Sequence, residues 1–234
     1  MCRICPVKML IKYILLAVAM LMYAGCSNHP PSAAQFMNVK EGINLVVGGA
    51  ARFGGVDNRT IPGQDDESTS YEEGYWNTDF ALSFAFPYAV IAIDFEDYTY
   101  RTIMGGRSQY FGIQGWYGFV QSEENREHGS KVKHTGGVMV IEQYPVSENF
   151  KVGLSEHVSQ NSYKVIDDPG CCSFNYLRAE TYPEFGVGAY IAYKGLSAEF
   201  RYGREIGESN NRFYLQFNYA FFLNEWNYKK QSGF

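Results

Sequence analysis

Bulky apolar residues alternate with small or polar ones along most of this chain, and the alternation has period two. In "YWNTDFALSFAF" the even positions are Trp76, Thr78, Phe80, Leu82, Phe84 and Phe86, while the odd ones are Tyr75, Asn77, Asp79, Ala81, Ser83 and Ala85. "LSAEFRYGRE" sets Leu196, Ala198, Phe200 and Tyr202 against Ser197, Glu199, Arg201, Gly203 and Glu205, and "RFYLQFNYAFF" repeats the pattern with Phe213, Leu215, Phe217, Tyr219 and Phe221. Successive side chains of a strand point to opposite faces, so each run reads as a strand with one bulky face. Nine such runs lie near 43–54, 75–86, 88–100, 109–121, 131–144, 149–162, 177–194, 195–206 and 212–223. No amphipathic helix is expected.

The connections arrange these runs. "YPVSENF" and "YKGL" are tight links, whereas "SEENREHGS", "VIDDPGCCSFNY" and "GESNN" are longer and polar. Short and long links alternate in the second half, as an up-and-down antiparallel barrel requires. Bacterial barrels of this kind have an even number of strands, so a count of nine holds one error. The junction at Pro87 is the suspect, because the parity changes there and "YAVIAIDF" is apolar on both faces. Eight strands are favoured and ten are possible, with the barrel spanning 42–223 and a tail over 224–234.

Alternation alone does not say which face meets water. Aromatics outward and charges such as Glu199 and Arg201 inward would be the inversion expected of a barrel in lipid, where lipid takes the place of an apolar core. A soluble, tethered barrel or sandwich would place the same aromatics inside and could bind a small ligand in the barrel mouth. Composition favours lipid: aromatics are 17% of the chain and Gly numbers 24, while charged residues are only 19%.

The amino terminus adds a location. Arg3, Lys8 and Lys12 precede the uninterrupted apolar run "YILLAVAMLMYAG", which has the layout of a secretory signal over 1–25 and is too short to span a bilayer comfortably. Beyond it, "SNHPPSAAQFMNVKE" reads as a polar, disordered tether over 26–41. The leader holds three of the 20 Lys and Arg and none of the 25 Asp and Glu, which leaves 17 positive against 25 negative residues and a formal charge of about −8. That balance excludes nucleic acid as a partner, since phosphate binding needs a basic face. Membrane lipid is the partner expected.

The exit of the leader, "YAGCSN", resembles the lipobox of bacterial lipoproteins, with Ala24 and Gly25 at the small positions and Tyr23 in place of the usual leucine. The resemblance implies acylation of Cys26, and Ser27 beside it implies sorting to the outer membrane. Several acyl chains on one residue would anchor the protein stably. The last run, 212–223, resembles the aromatic-ended closing strand of outer-membrane barrels, followed here by "LNEWNYKKQSGF".

Candidate chemistry centres on "GLSEHVSQNSYK". His157 and Ser159 are two apart on one strand and point the same way, as a base and its nucleophile must. The stretch remotely resembles the His-x-Ser-Asn motif of outer-membrane lipid A deacylases, which are small eight-stranded barrels with a Ser-His-Glu triad. The resemblance covers about a dozen residues and implies Ser159 as nucleophile and His157 as base, with Gln160 where that family has Asn. Cys171 and Cys172 stand where its orienting glutamate would lie, leaving Asp167, Asp168 or Glu180 as substitutes. The bland alternative is a set of polar residues lining a barrel, with Ser155 and Glu156 beside them. An eight-stranded barrel would be filled by its side chains and would not conduct. The reading favoured is therefore a structural or surface-binding envelope barrel, with a lipid esterase as the rival.

The remaining features carry less. Asp57, Asp65, Asp66, Glu67, Glu72 and Glu73 crowd the first loop without the ligand spacing of a calcium site. His29, His128, His134 and His157 lack the paired spacing of a zinc site, and "GRSQYFGIQGWYGF" has glycines on a strand rather than in a phosphate loop. Vicinal Cys171 and Cys172 could pair with each other or with another chain. No metal or cofactor is expected.

Overall fold

The computed structural model describes residues 29–54, 75–96, 99–123, 130–167, 176–207 and 210–224. The signal segment, Cys26, the acidic first loop, Cys171, Cys172 and the tail lie outside the described residues, apart from Asn224.

Ten antiparallel strands close into one up-and-down barrel: β1 (Gly42–Phe53), β2 (Tyr75–Ala85), β3 (Ala89–Glu96), β4 (Thr99–Arg107), β5 (Phe111–Glu123), β6 (Ser130–Pro145), β7 (Phe150–Asp167), β8 (Tyr176–Tyr193), β9 (Leu196–Glu205) and β10 (Asn211–Asn224). Each pairs with its sequence neighbours, and β1 closes on β10 from Ile43↔Asn224 to Phe53↔Phe213. Ten is the larger of the two counts that the alternation allowed.

Nine strands lie where the hydrophobic pattern put them, and the miscount was not at Pro87. That proline lies in a tight link between two real strands, closed by the Phe86 N–H donating to the Ala89 carbonyl at 2.7 Å. The strand missed is β4, "TYRTIMGGR". Its inward Thr99, Arg101 and Ile103 and outward Tyr100, Thr102 and Met104 mix both chemistries on both faces, and only residues 97–98 separate it from β3. A link that short on the rim where longer ones prevail merges two strands into one apparent run.

The faces are inverted as expected for lipid. Along β9 the outward residues include Leu196, Ala198, Phe200 and Tyr202, and the inward ones Ser197, Glu199, Arg201, Gly203 and Glu205. "YAVIAIDF" resolves in the same way, with Ile91, Ile93 and Phe95 outward and Val90, Ala92 and Asp94 inward. Outer aromatics touch from strand to strand: Phe80 lies 6.3 Å from Phe95, Phe95 5.3 Å from Tyr100, and Tyr100 5.6 Å from Phe119. Such cross-strand aromatic pairs stabilise a sheet and place amphipathic rings along its outer surface.

The stretch expected to be a tether is different over its described part. Residues 29–39 lie inside the barrel and include a short helix, α1 (Ala33–Asn38), whose cap is Ser32: its hydroxyl accepts from the Gln35 N–H at 3.1 Å. Barrel size explains how a chain segment fits. With strands about 4.8 Å apart and tilted by about 40°, eight strands enclose a circle roughly 16 Å across and ten one roughly 20 Å across, backbone to backbone. The added cross-section, about 110 Å², exceeds the roughly 80 Å² of a helix about 10 Å wide. Side chains fill an eight-stranded barrel, while a ten-stranded one has room for one more element.

Candidate functional site: the filled lumen

The lumen is apolar toward the rim of short turns and polar beyond. At the short-turn end Ala33, Ala34, Phe36, Met37 and Val39 of the inner segment pack into one buried cluster with Ala81, Ala85, Val90, Ala92, Ile103, Met139 and Ile141 of the wall. Gly105 of β4 and Gly112 of β5 leave space that Phe36 and Met37 occupy: a Cβ at Gly105 would lie 2.9 Å from the Phe36 ring, and one at Gly112 2.5 Å from the Met37 sulfur. The helix is too short to satisfy its own last carbonyls. Arg107 does so, one guanidinium nitrogen donating to the carbonyls of Val39 (2.8 Å), Phe36 (3.2 Å) and Met37 (3.2 Å).

Above the helix the segment is extended and held by charge. Glu199 accepts from the Ser32 hydroxyl at 2.7 Å and from the Ala34 N–H at 3.3 Å. Arg201 donates to the carbonyls of Pro30 and Pro31, and Arg101 donates to that of His29. Prolines suit this stretch because they have no N–H to satisfy and their carbonyls remain free to accept. The His29 ring lies 2.8 Å from Glu96, which is also 2.7 Å from Arg101. Asp94 completes the group by pairing with Arg101. All of these wall residues are buried, and their charges alternate, as a low-dielectric interior requires. Glu199 and Arg201, expected inward, lie 3.6 Å apart and neutralise each other, and both also grip the segment.

A second polar layer lies nearer the long-link rim. His157 and Ser159 both face inward, at 2% and 4% exposure. The His157 Nε2 lies 3.1 Å from Glu184, which also accepts from Asn161 at 3.1 Å and from the Tyr214 hydroxyl at 2.8 Å. Asp168 and the side chains of Asp167 and Glu180 lie outside the described residues, and Glu184 holds the place that the sequence assigned to one of those three. It lies opposite Ser159 in the β7–β8 register. The ring reaches it because position 186 is glycine: a Cβ there would lie 2.3 Å from the ring's Cε1. Ser159 is not brought to the base, since its hydroxyl and the His157 Nδ1 both lack a hydrogen-bond partner among the described residues. The Tyr182 hydroxyl lies 3.3 Å from that of Tyr214, and the Arg212 guanidinium stacks over the Tyr182 ring at 3.8 Å while bonding Glu205 at 3.0 Å.

This layer is therefore a Glu184 carboxylate held by three donors, with the serine beside it rather than within a relay. A lipid ester would have to enter the lumen to reach Ser159. Of the other histidines, His134 lies on the outside, its Nδ1 2.7 Å from the Tyr117 hydroxyl, and no group of potential metal ligands forms among the described residues.

Sequence reasoning missed Glu184, Glu96, Arg101 and the inner segment. "SAAQFM" did carry a signal, a helix cap followed by apolar residues at one-turn spacing.

No protein-family model matches the chain, and no curated protein matches it. Among solved structures, the chain is similar to Neisserial surface protein A, with 11% identity over 77% of this chain and 96% of that one at a TM-score of 0.39. It is also similar to Ail, the attachment invasion locus protein of Yersinia pestis, solved with the heparin analogue sucrose octasulfate (11%, 78% and 100%, TM-score 0.34). A third is the N-terminal β-barrel domain of Pseudomonas aeruginosa OprF (6%, 76% and 97%, TM-score 0.33). Scores this low leave the functional reading to the barrel's own geometry.

Proposed function

We propose that the chain is an outer-membrane β-barrel of the bacterial envelope, closed at rest by its own residues 29–39, with a structural or surface-binding role. The inversion of its faces carries this reading. Thirty-one large apolar side chains are exposed among the described residues, while Arg101, Arg201, Glu96, Glu184 and Glu199 are fully buried. Soluble monomers rarely expose a continuous apolar patch beyond a few hundred Å², roughly 300–600 at most. A wall studded with Ile91, Tyr117, Phe200 and Phe217 on every side calls for lipid. A filled lumen leaves the rims as the surfaces on which a partner could dock.

Anchoring through Cys26 is part of this proposal, and the inner segment sets a condition on it. Arg101, which holds His29, lies six residues above the short-turn rim at Arg107, or about 15 Å along the axis at the usual strand tilt. Three residues reach at most about 10 Å. While the segment is seated, the backbone of Cys26 stays at least about 5 Å short of the short-turn rim, so anchoring on that face would have to span the gap with the glyceryl linker and acyl chains.

The esterase reading draws support from the contact of Glu184 with His157, and it is opposed by the position of Ser159. The structural reading is tested by lipid quenching. Phe200→Trp at an outward position (51% exposed), in a background where Trp76, Trp116 and Trp226 are phenylalanine, is expected to be quenched by brominated acyl chains, whereas the inward Trp116, kept alone with Trp76 and Trp226 as phenylalanine, keeps its emission. Equal emission from the two positions, or a chain truncated before Cys26 that is soluble without detergent, would sink the membrane reading in favour of a tethered soluble barrel.

A further inference from the structure

The wall is complete without the segment that fills it. All ten strands pair around a closed ring, and residues 29–39 enter no strand pairing. They are held through side chains and carbonyls by Glu199, Arg201, Arg101 and Arg107 and by the apolar cluster at the short-turn end. The charges that hold the segment also have partners in the wall: Arg101 with Asp94 and Glu96, and Arg201 with Glu199 and Gln216. An emptied lumen would therefore be lined in its middle by paired charges and amides that water can solvate. It would not collapse, because its width is fixed by strand number and tilt. Withdrawal of an element about 10 Å wide leaves an opening of that order, wide enough for hydrated ions and small hydrophilic solutes.

We infer that residues 29–39 are a displaceable stopper, and that the ten-stranded wall around them is a pore for ions and small hydrophilic solutes that opens when the stopper leaves. The inference rests on the membrane reading above. The apolar half of the lumen, built from Ala81, Ala85, Val90, Ala92 and Ile103, keeps the stopper seated at rest, because unseating exposes those residues to water. The mixed charge in the middle of the lumen, with Arg101 paired to Glu96 and Arg201 to Glu199, predicts weak selectivity between anions and cations.

The test is single-channel recording in planar bilayers with potassium chloride, on the full chain and three variants. Removal of 29–39 deletes the stopper, and Ala34→Arg unseats it by bulk at a position with no free space. In a background with the native cysteines replaced by serine, Ser32→Cys with Asn218→Cys ties the stopper to the wall where those side chains meet at 3.1 Å. Folding and insertion of each are checked first by gel mobility and by the Phe200→Trp quenching arm. Expected are a wild type that is closed with rare openings, persistent step conductance at least tenfold more frequent in the deletion and in Ala34→Arg, and a cross-linked form that opens only after reduction. Folded, lipid-quenched variants that conduct no more than wild type would overturn the stopper while leaving the membrane reading intact. A wild type that conducts as persistently as the deletion would do the same. Loss of quenching would overturn the membrane reading itself.

Discussion

Glu199→Gln keeps the side-chain volume but removes the charge that meets the inner segment. The carboxylate accepts two hydrogen bonds from that segment, from the Ser32 hydroxyl at 2.7 Å and the Ala34 N–H at 3.3 Å, and is fully buried, so solvent screens neither. Bonds to a charged acceptor contribute about 1.5–3 kcal/mol each and those to a neutral one about 0.5–1.5. Loss of charge assistance in two bonds therefore weakens seating by about 2 kcal/mol, roughly a 30-fold rise in the unseated fraction. Cysteine accessibility reads that fraction directly. Ala34 is fully buried, so in a background free of native cysteines Ala34→Cys reacts with a water-soluble maleimide only while the segment is out. The labelling rate is expected to rise about 30-fold on adding Glu199→Gln, and to stay unchanged on adding Glu156→Gln, which alters an outward carboxylate of β7. Equal rates in the two double variants, with both barrels folded, would refute the assignment of Glu199 as a grip on the segment.

Glu184→Ala strips the partner from His157, Asn161 and Tyr214 together, so unfolding in urea is expected to show a loss of about 3–5 kcal/mol, against about 1 kcal/mol for Tyr214→Phe. Ser159→Ala is expected to leave the acylation pattern of lipid A in expressing cells unchanged by mass spectrometry, because the hydroxyl is buried in the lumen and unbonded to His157. A lysine at Phe200 is expected to destabilise the barrel in vesicles by about 2–4 kcal/mol if that position faces the hydrocarbon, whereas the same change in a water-exposed sheet would cost close to nothing. Gly105→Ala places a Cβ about 2.0 Å from the Ile113 carbonyl oxygen of the next strand, a backbone atom that cannot turn aside; a loss of about 1–3 kcal/mol in the same unfolding assay is expected.

The amino-acid sequence by itself determined nine of the ten strands and which of their residues share a face. Period-two patterning is local, so Phe80 against Asp79 or Phe200 against Glu199 could be assigned to opposite faces without knowing what lay next to either. It did not determine how many strands close the ring, because β4 has Arg101 inward and Tyr100 outward but also Ile103 inward and Thr102 outward, a pattern too mixed to separate from β3 across two residues. Nor could it place His29 to Val39. Read locally, that stretch is a polar, proline-bearing linker; it folds because ten strands leave a lumen wide enough for a helix, with Gly105 and Gly112 of the wall where Phe36 and Met37 sit. The candidate base and nucleophile show the same division. His157 and Ser159 were bound to share a face by their spacing, but whether an acid stood beside them depended on the register of β7 on β8. That register set Glu184 against the imidazole and left the serine aside, a matter of pairing between strands 27 residues apart in the chain that local sequence cannot encode.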